Sequence, residues 1–137
     1  MEVFSIDAID SIAARIIARV REQHARGVAL SGNLGAGKTT LAQALGKALG
    51  VTNQMISPTF ILMKVYETHG AEWQAFVHCD AYRIESEAEA RGLQLDRNTD
   101  SFMCIEWPER LQGALPHELV RIELSYVSED KRGIIGL

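Results

Sequence analysis

Gly32-Asn33-Leu34-Gly35-Ala36-Gly37-Lys38-Thr39 follows a short apolar run, residues 28–31, and precedes a segment in which Leu41, Ala44, Leu45, Ala48 and Leu49 recur at helical spacing up to Gly50. The order is strand, loop, helix. These eight residues fit G-x-x-x-x-G-K-[ST] in the context that the pattern requires. Glycines at 32, 35 and 37 let the backbone curl so that successive N–H groups point inward, forming a nest at the positive end of the following helix. Such a nest surrounds phosphate oxygens. Lys38 then reaches between the β- and γ-phosphates of a nucleotide, and the Thr39 hydroxyl stands at the height of a Mg²⁺ ligand, a hard cation that prefers oxygen. A turn that merely joined strand to helix has no need of a Lys-Thr pair at this spacing.

Outward from the loop, the periodicities alternate. Before it, residues 3–6 read as a short strand, and Ile9, Ile12, Ala13, Ile16, Ile17 and Val20 repeat as one face of an amphipathic helix closing before Gly27. After the nucleotide helix, Ser57-Pro58-Thr59 breaks the pattern. Residues 60–66 and 73–79 then read as a hairpin around His69-Gly70. Residues 85–91 suit a short helix, residues 101–105 a buried strand, and residues 107–115 a turn region holding Pro108. Val120, Ile122, Leu124 and Tyr126 alternate with polar residues as a strand with one wet face, and residues 132–137 suit a last edge strand. The pattern predicts an α/β fold resembling P-loop NTPases: a mixed, mostly parallel sheet flanked by helices, with a hairpin in mid-chain, as a single domain over residues 1–137.

A phosphate loop alone binds nucleotide. Hydrolysis or transfer also needs an acid at the end of a neighbouring strand, to hold the metal or orient the attacking oxygen. Glu106 ends the run Phe102-Met103-Cys104-Ile105, and Asp80 ends Phe76-Val77-His78-Cys79 in the same way. Lys38, Asp80 and Glu106 are therefore the catalytic candidates, with the division of roles between the two acids open. Thr59 sits where it either senses a γ-phosphate or simply starts a strand. Arg83 and Arg110 follow the two acids closely enough to screen phosphate charge, although exposed arginines in weak surface pairs are the commoner case. His24, His69, His78 and His117 lack metal-ligand spacing, so turn, strand or surface roles are expected of them, and Trp107 reads as a packing anchor. No N-K-x-D follows an apolar strand, so the nucleotide is taken as ATP.

The bulk numbers exclude several classes. Over 137 residues the apolar fraction is 47%, ordinary for one buried core. Lys plus Arg number 14 against 18 Asp plus Glu, and a net charge of -4 offers no basic field for DNA or RNA, so any RNA contact is expected only through a partner. Cys79 and Cys104 lie in apolar runs without CxxC spacing and are expected to be small buried hydrophobes. No stretch has the length of a membrane span and the first residues lack a signal-peptide pattern, so a cytoplasmic protein is expected.

Four segments taken together carry a resemblance: residues 32–40 (GNLGAGKTT), Ser57-Pro58-Thr59-Phe60, His78-Cys79-Asp80-Ala81-Tyr82-Arg83, and Ile105-Glu106-Trp107-Pro108-Glu109-Arg110. In order and spacing they resemble the bacterial tRNA threonylcarbamoyladenosine biosynthesis ATPase family, TsaE, from about Ser11 to at least Tyr126. The resemblance implies a small P-loop fold that binds MgATP and assembles with two partner proteins, which install threonylcarbamoyl on the adenosine beside the tRNA anticodon. It implies phosphate binding by Gly35, Ala36, Gly37, Lys38, Thr39 and Thr40, Mg²⁺ ligation by Thr39 and Glu106, and catalytic importance for Asp80. It also places Ser57 and Thr59 in a switch loop and Ser11 near the adenine. The chain departs from the family pattern at Asn33, Cys79, Ala81 and Arg15, none of them a phosphate or metal group, and its C-terminus is shorter than is typical.

The expected function is ATP hydrolysis to ADP and phosphate, slow in isolation and serving a tRNA-modifying assembly. Two rivals share the loop. One is a small-molecule kinase, for which residues 91–100 would have to supply a lid, and the other is a module that binds MgATP to change shape without consequential hydrolysis.

Overall fold

In the computed structural model, residues 1–55, 62–70, 72–97 and 100–137 are described. The chain runs β1 (Glu2–Ser5), α1 (Ile9–Glu22), β2 (Gly27–Ser31), α2 (Lys38–Ala48), β3 (Met63–Glu67), β4 (Ala75–Asp80), α3 (Glu87–Gly92), β5 (Ser101–Glu106), β6 (Leu119–Ser128) and β7 (Lys131–Ile135). Short 3-10 turns follow β1 and occupy Leu95–Arg97, Pro108–Arg110 and Gln112–Ala114. The strands form one seven-stranded sheet in the order β1-β7-β6-β2-β5-β4-β3. Its four inner strands β6, β2, β5 and β4 are mutually parallel, and antiparallel pairings flank them on both sides.

The hydrophobic pattern explains the layering. On α1, Ile12, Ala13, Ile16, Ile17 and Val20 are all buried, as their spacing predicts, and Arg19 and Arg21 sit in the last turn, where they complement the negative helix end. That stripe packs with α2 over one face of the sheet, together with Val28, Leu30, Phe76, Phe102 and Cys104. The opposite face of β4 and β5 carries Val77, Cys79, Met103 and Ile105, packed under Ala90 of α3, Leu95 and Leu111. Neighbouring residues on one strand thus serve different clusters, the period-2 logic of a sheet buried on both faces.

Two expectations at the ends of the chain shift. The last strand is no edge: β7 lies between β6 and β1, because the N-terminal segment pairs along its outer side from Glu2↔Ile134 to Ser5↔Lys131. Arg15, an unusual residue for the resemblance, ties α1 to that edge strand by a bidentate pair with Glu2, at 2.6 and 3.0 Å. On β6, Val120, Ile122 and Leu124 are buried as the alternation requires, whereas Tyr126 is 61% exposed near the strand's end. The mid-chain hairpin is present as β3 and β4 in antiparallel register, Met63↔Cys79 to Glu67↔Ala75. Among the described residues no helix is long and apolar enough to cross a membrane.

Because β2, β4 and β5 are parallel, their carboxyl ends meet at one rim of the sheet, where an open α/β sheet places its ligands. The loop from β2 to α2 starts at that rim, and the reversal from β6 into β7 brings the start of β7 back to it.

Candidate functional site

Close packing and positive φ shape the loop from β2 to α2. Gly32 has φ +144, and a Cβ there would stand 2.4 Å from the Leu124 carbonyl oxygen, so the chain passes β6 only because no side chain is present. Gly37 caps α2 at φ 102, and the first intrahelical bond runs from Leu41 N to Gly37 O at 2.9 Å. The amides of Lys38, Thr39 and Thr40 in the first turn therefore have no carbonyl within the helix to donate to.

Lys38 is 5% exposed. Its ammonium donates to the carbonyl oxygens of Gly32 at 2.5 Å and Asn33 at 2.9 Å, and lies 4.5 Å from the Trp107 ring centroid. Burial holds it below the usual lysine pKa, and the carboxylates of Glu106, Asp80 and Glu109 oppose that shift. One turn of helix thus presents a cation that its own loop carbonyls keep in place.

Asp80 and Glu106 are register partners at the ends of β4 and β5, so both side chains leave the same face of the sheet, toward α2. Each is nearly buried, at 5% and 2% exposed. The Thr39 hydroxyl donates to the Glu106 carboxylate, 3.0 Å from Oε1 and 3.2 Å from Oε2. Asp80 accepts the backbone N–H of Tyr82 at 3.0 Å, which turns its carboxylate back over the strand end. Trp107, directly after Glu106, holds φ 57 and ψ 53, a left-handed conformation rare for a tryptophan, and its ring lies 5.0 Å from that of Tyr82. It packs on the α3-side cluster and also forms a wall of the cleft.

Gly35, Gly37, Lys38, Thr39, Thr40, Asp80 and Glu106 together line a cleft of about 330 Å³, with Tyr82, Trp107, Leu34 and Arg132 around them. Ala36 is buried behind it and lines a small apolar slot with Phe4, Ile9 and Leu124, which also shares Gly37, Thr40 and Arg132 with the cleft. A family model for the threonylcarbamoyl adenosine biosynthesis protein TsaE matches residues 3–134. The chain belongs to the TsaE family. The tRNA threonylcarbamoyladenosine biosynthesis protein TsaE of Haemophilus influenzae is 36% identical over 123 residues, which cover 88% of this chain and 75% of that protein. Proteins of the same name from Streptomyces coelicolor and Bacillus subtilis are 40% and 34% identical, over 71% and 77% of this chain. The aligned stretch spans 66% and 65% of their own lengths, about two thirds. The crystal structure of Bacillus subtilis YdiB superposes with a TM-score of 0.64 at 24% identity, covering 97% of this chain and 83% of that one, a likeness of fold.

For a TsaE chain, the described residues bring together most of the expected set. Thr59 and Ser57 lie outside them. Ser11 is exposed on α1 and lines neither the cleft nor the slot, whereas Ile9, two residues earlier, reaches the slot. Arg83 and Arg110 are exposed and do not line the cleft, and the Arg110 guanidinium lies 5.5 Å from the Tyr82 ring centroid. Residues 91–100 supply no lid in their described part. Arg26, just before β2, bonds Asp96 through its side chain and backbone oxygens, which fixes that turn at the opposite rim.

Two residues escaped the sequence reading. His78 has the strand role among those expected of it, within β4, but it is fully buried with Nε2 2.5 Å from Glu106 Oε2, a contact that the spacing of the histidines did not announce. The alternation Phe76, His78, Asp80 was a signal, since it puts His78 on the same face as the acid two residues later. Arg132 reaches the cleft from β7, donating to the Ser128 carbonyl at 2.7 Å while its Nε is buried without a partner among the described residues. Its position depends on the β6–β7 reversal and has no local signature.

Proposed function

We propose that this chain has a P-loop NTPase-like fold and hydrolyses MgATP in the service of tRNA threonylcarbamoyladenosine biosynthesis, together with two partner proteins of that machinery. One observation carries the reading: the Thr39 hydroxyl and the Glu106 carboxylate meet at 3.0 Å at the start of α2, in the cleft that holds Lys38 and Asp80. A hydroxyl and one carboxylate are hard oxygen donors. Among the described residues no group of three or more His, Cys, Asp or Glu is placed to hold a metal, and a cation that takes few protein ligands and completes its shell with water and phosphate suits such a pair. That habit is characteristic of Mg²⁺, held by Thr39 and Glu106.

The chemistry follows from the residues present. Amides of Gly35, Gly37, Lys38, Thr39 and Thr40 converge on anionic oxygens at the amino end of α2. Lys38, already desolvated, exchanges its loop carbonyls for phosphate oxygens, where its charge counts for more than at an exposed site. Bound Mg²⁺ supplies further neutralisation of charge on the β- and γ-phosphates. Asp80 or Glu106 accepts the proton-bearing side of the attacking water and holds it in line. The relatives' names and the family match support the place of this activity in tRNA modification. The net charge of -4 supports contact with tRNA through the partners.

Steady-state phosphate release from ATP tests the reading, with the protein alone, with the two partner proteins, and with Lys38→Ala as the blank. A low rate that climbs when both partners are present is the expected result. Turnover that ignores the partners and appears only with a small-molecule acceptor would overturn it in favour of a kinase.

A further inference from the structure

We infer that His78 is a positioning residue for the metal-binding carboxylate, fixing which oxygen of Glu106 is offered to a divalent cation. The inference rests on the reading of Thr39 and Glu106 as the Mg²⁺ pair.

Three observations lead to it. Glu106 is 2% exposed, and a buried carboxylate is costly unless donors surround it. Its side-chain donors among the described residues are the Thr39 hydroxyl and His78 Nε2. Thr39 is shared between the two oxygens, at 3.0 and 3.2 Å, and so does not choose between them; His78 does, lying 2.5 Å from Oε2. A carboxylate only accepts, so Nε2 carries the hydrogen. With Oε2 engaged by His78, Oε1 is the oxygen left for a cation beside Thr39.

The imidazole is itself held by packing. His78 has no exposed surface, its ring centroid lies 6.4 Å from that of Phe76 at 47°, and Nδ1 has no hydrogen-bond partner among the described residues. A histidine present only to satisfy a polar core would be expected to use both nitrogens. Here one nitrogen is spent on a single carboxylate oxygen and the other has no partner among the described residues. That is the arrangement of an outer partner to a metal ligand, whose loss characteristically weakens metal affinity 10- to 100-fold.

The test uses the full chain and a readout other than turnover: binding of a fluorescent ribose-labelled ATP, titrated with magnesium at fixed nucleotide. His78→Phe keeps the ring and removes the donor. In His78→Asn the amide ends near the Nδ1 position, too short to reach Glu106, whereas in His78→Gln it ends near the Nε2 position. The expected result is a half-saturating magnesium concentration raised about 10-fold or more in the Phe and Asn variants and within about 3-fold of wild type in Gln, with binding in excess EDTA unchanged throughout. If Phe does not fold, Asn against Gln decides alone. Equal magnesium dependence in wild type, Asn and Phe overturns the inference and leaves the MgATP reading standing. A wild-type protein whose nucleotide binding ignores magnesium overturns both.

Discussion

The two faces of β4 and β5 are built from adjacent residues and do different things. Toward α1 and α2 the strands present Phe76, His78 and Asp80, and Phe102, Cys104 and Glu106, so that an apolar layer ends in a row of buried polar groups at the rim. Toward α3 they present Val77, Cys79, Met103 and Ile105, apolar to the end. Both faces are dry. Among the described residues only the first has hydrogen-bond partners enough to carry charge there: Thr39 and His78 donate to Glu106, the Tyr82 amide donates to Asp80, and loop carbonyls accept from Lys38. The α3 face is ballast by comparison, and substitutions on the two faces should separate chemistry from stability.

The largest separation is expected at Asp80. Asp80→Asn preserves shape and the bond from the Tyr82 amide while removing the charge, and on the water-orienting reading it should lower partner-stimulated ATP turnover by about 10²–10⁴-fold. MgATP affinity should stay within about 3-fold. An Asn variant with full turnover would hand the role to Glu106 alone. Lys38→Ala should instead lose affinity, roughly 10- to 100-fold, the scale of one charge-assisted contact. Because burial already disfavours the Lys38 ammonium, thermal stability should change little or rise in that variant.

The other face should answer in the opposite way. Ile105 is fully buried in the α3-side cluster, and Ile105→Ala should cost about 2–5 kcal/mol of unfolding free energy in a denaturant titration. Nucleotide affinity measured where the variant is still folded should be unchanged. A loss of affinity at constant stability would show that packing under α3 sets the position of Glu106 and Trp107, so that the faces are not independent.

How much of this arrangement was legible beforehand divides along the same line. The loop, both acids and the apolar periodicities are local in sequence, and each local signal survived folding because a strand, a tight loop and a helix follow one another without a break. His78 was half legible. Its place on the acid's face follows from counting by two, but the donor it offers Glu106 requires knowing that β4 and β5 are neighbours in register, which pairing alone decides. Arg132 was not legible, since it reaches the loop only because β7 is inserted between β6 and β1, an order that residues 132–137 do not encode by themselves. Ser11 shows the converse limit: its place in a family pattern says nothing of rotation about the α1 axis, and here Ser11 is exposed while Ile9 lines the slot.

Arg132 gives a smaller effect that sharpens the boundary of the polar face. Its guanidinium lies 4.8 Å from the Tyr126 ring centroid and is tied to the Ser128 and Lys131 carbonyls, so it is placed without help from a ligand. As a cation lining the cleft, it should contribute a contact to bound nucleotide, and Arg132→Ala should weaken MgATP binding about 5-fold, the worth of roughly 1 kcal/mol. No change would confine the working charges to the loop, β4 and β5.

The finest probe is already in the chain, because Cys104 belongs to the α1/α2 face and Cys79 to the α3 face. Burial raises the Cys79 thiol to about 12 and lifts Cys104 well above its usual value, with the nearby carboxylates adding to both. Neither thiol should react in the folded protein, since the thiolate is the reactive form. The sign for stability follows. The folded chain keeps these protons where the unfolded chain gives them up, so stability is whole below the ordinary thiol value of 9.0 and falls as pH climbs from there through about 12. At neutral pH in mild denaturant, labelling then reports opening, and peptide mapping separates the two sites. Cys79 and Cys104 sit on paired strands, with Cys79↔Ile105 and His78↔Cys104 in register, so one cooperative opening should expose both at one rate, slowed equally by MgATP. Faster labelling of Cys79, unaffected by nucleotide, would mean that the α3 layer peels away while the charged face stays shut. The two faces would then differ in stability as well as in chemistry.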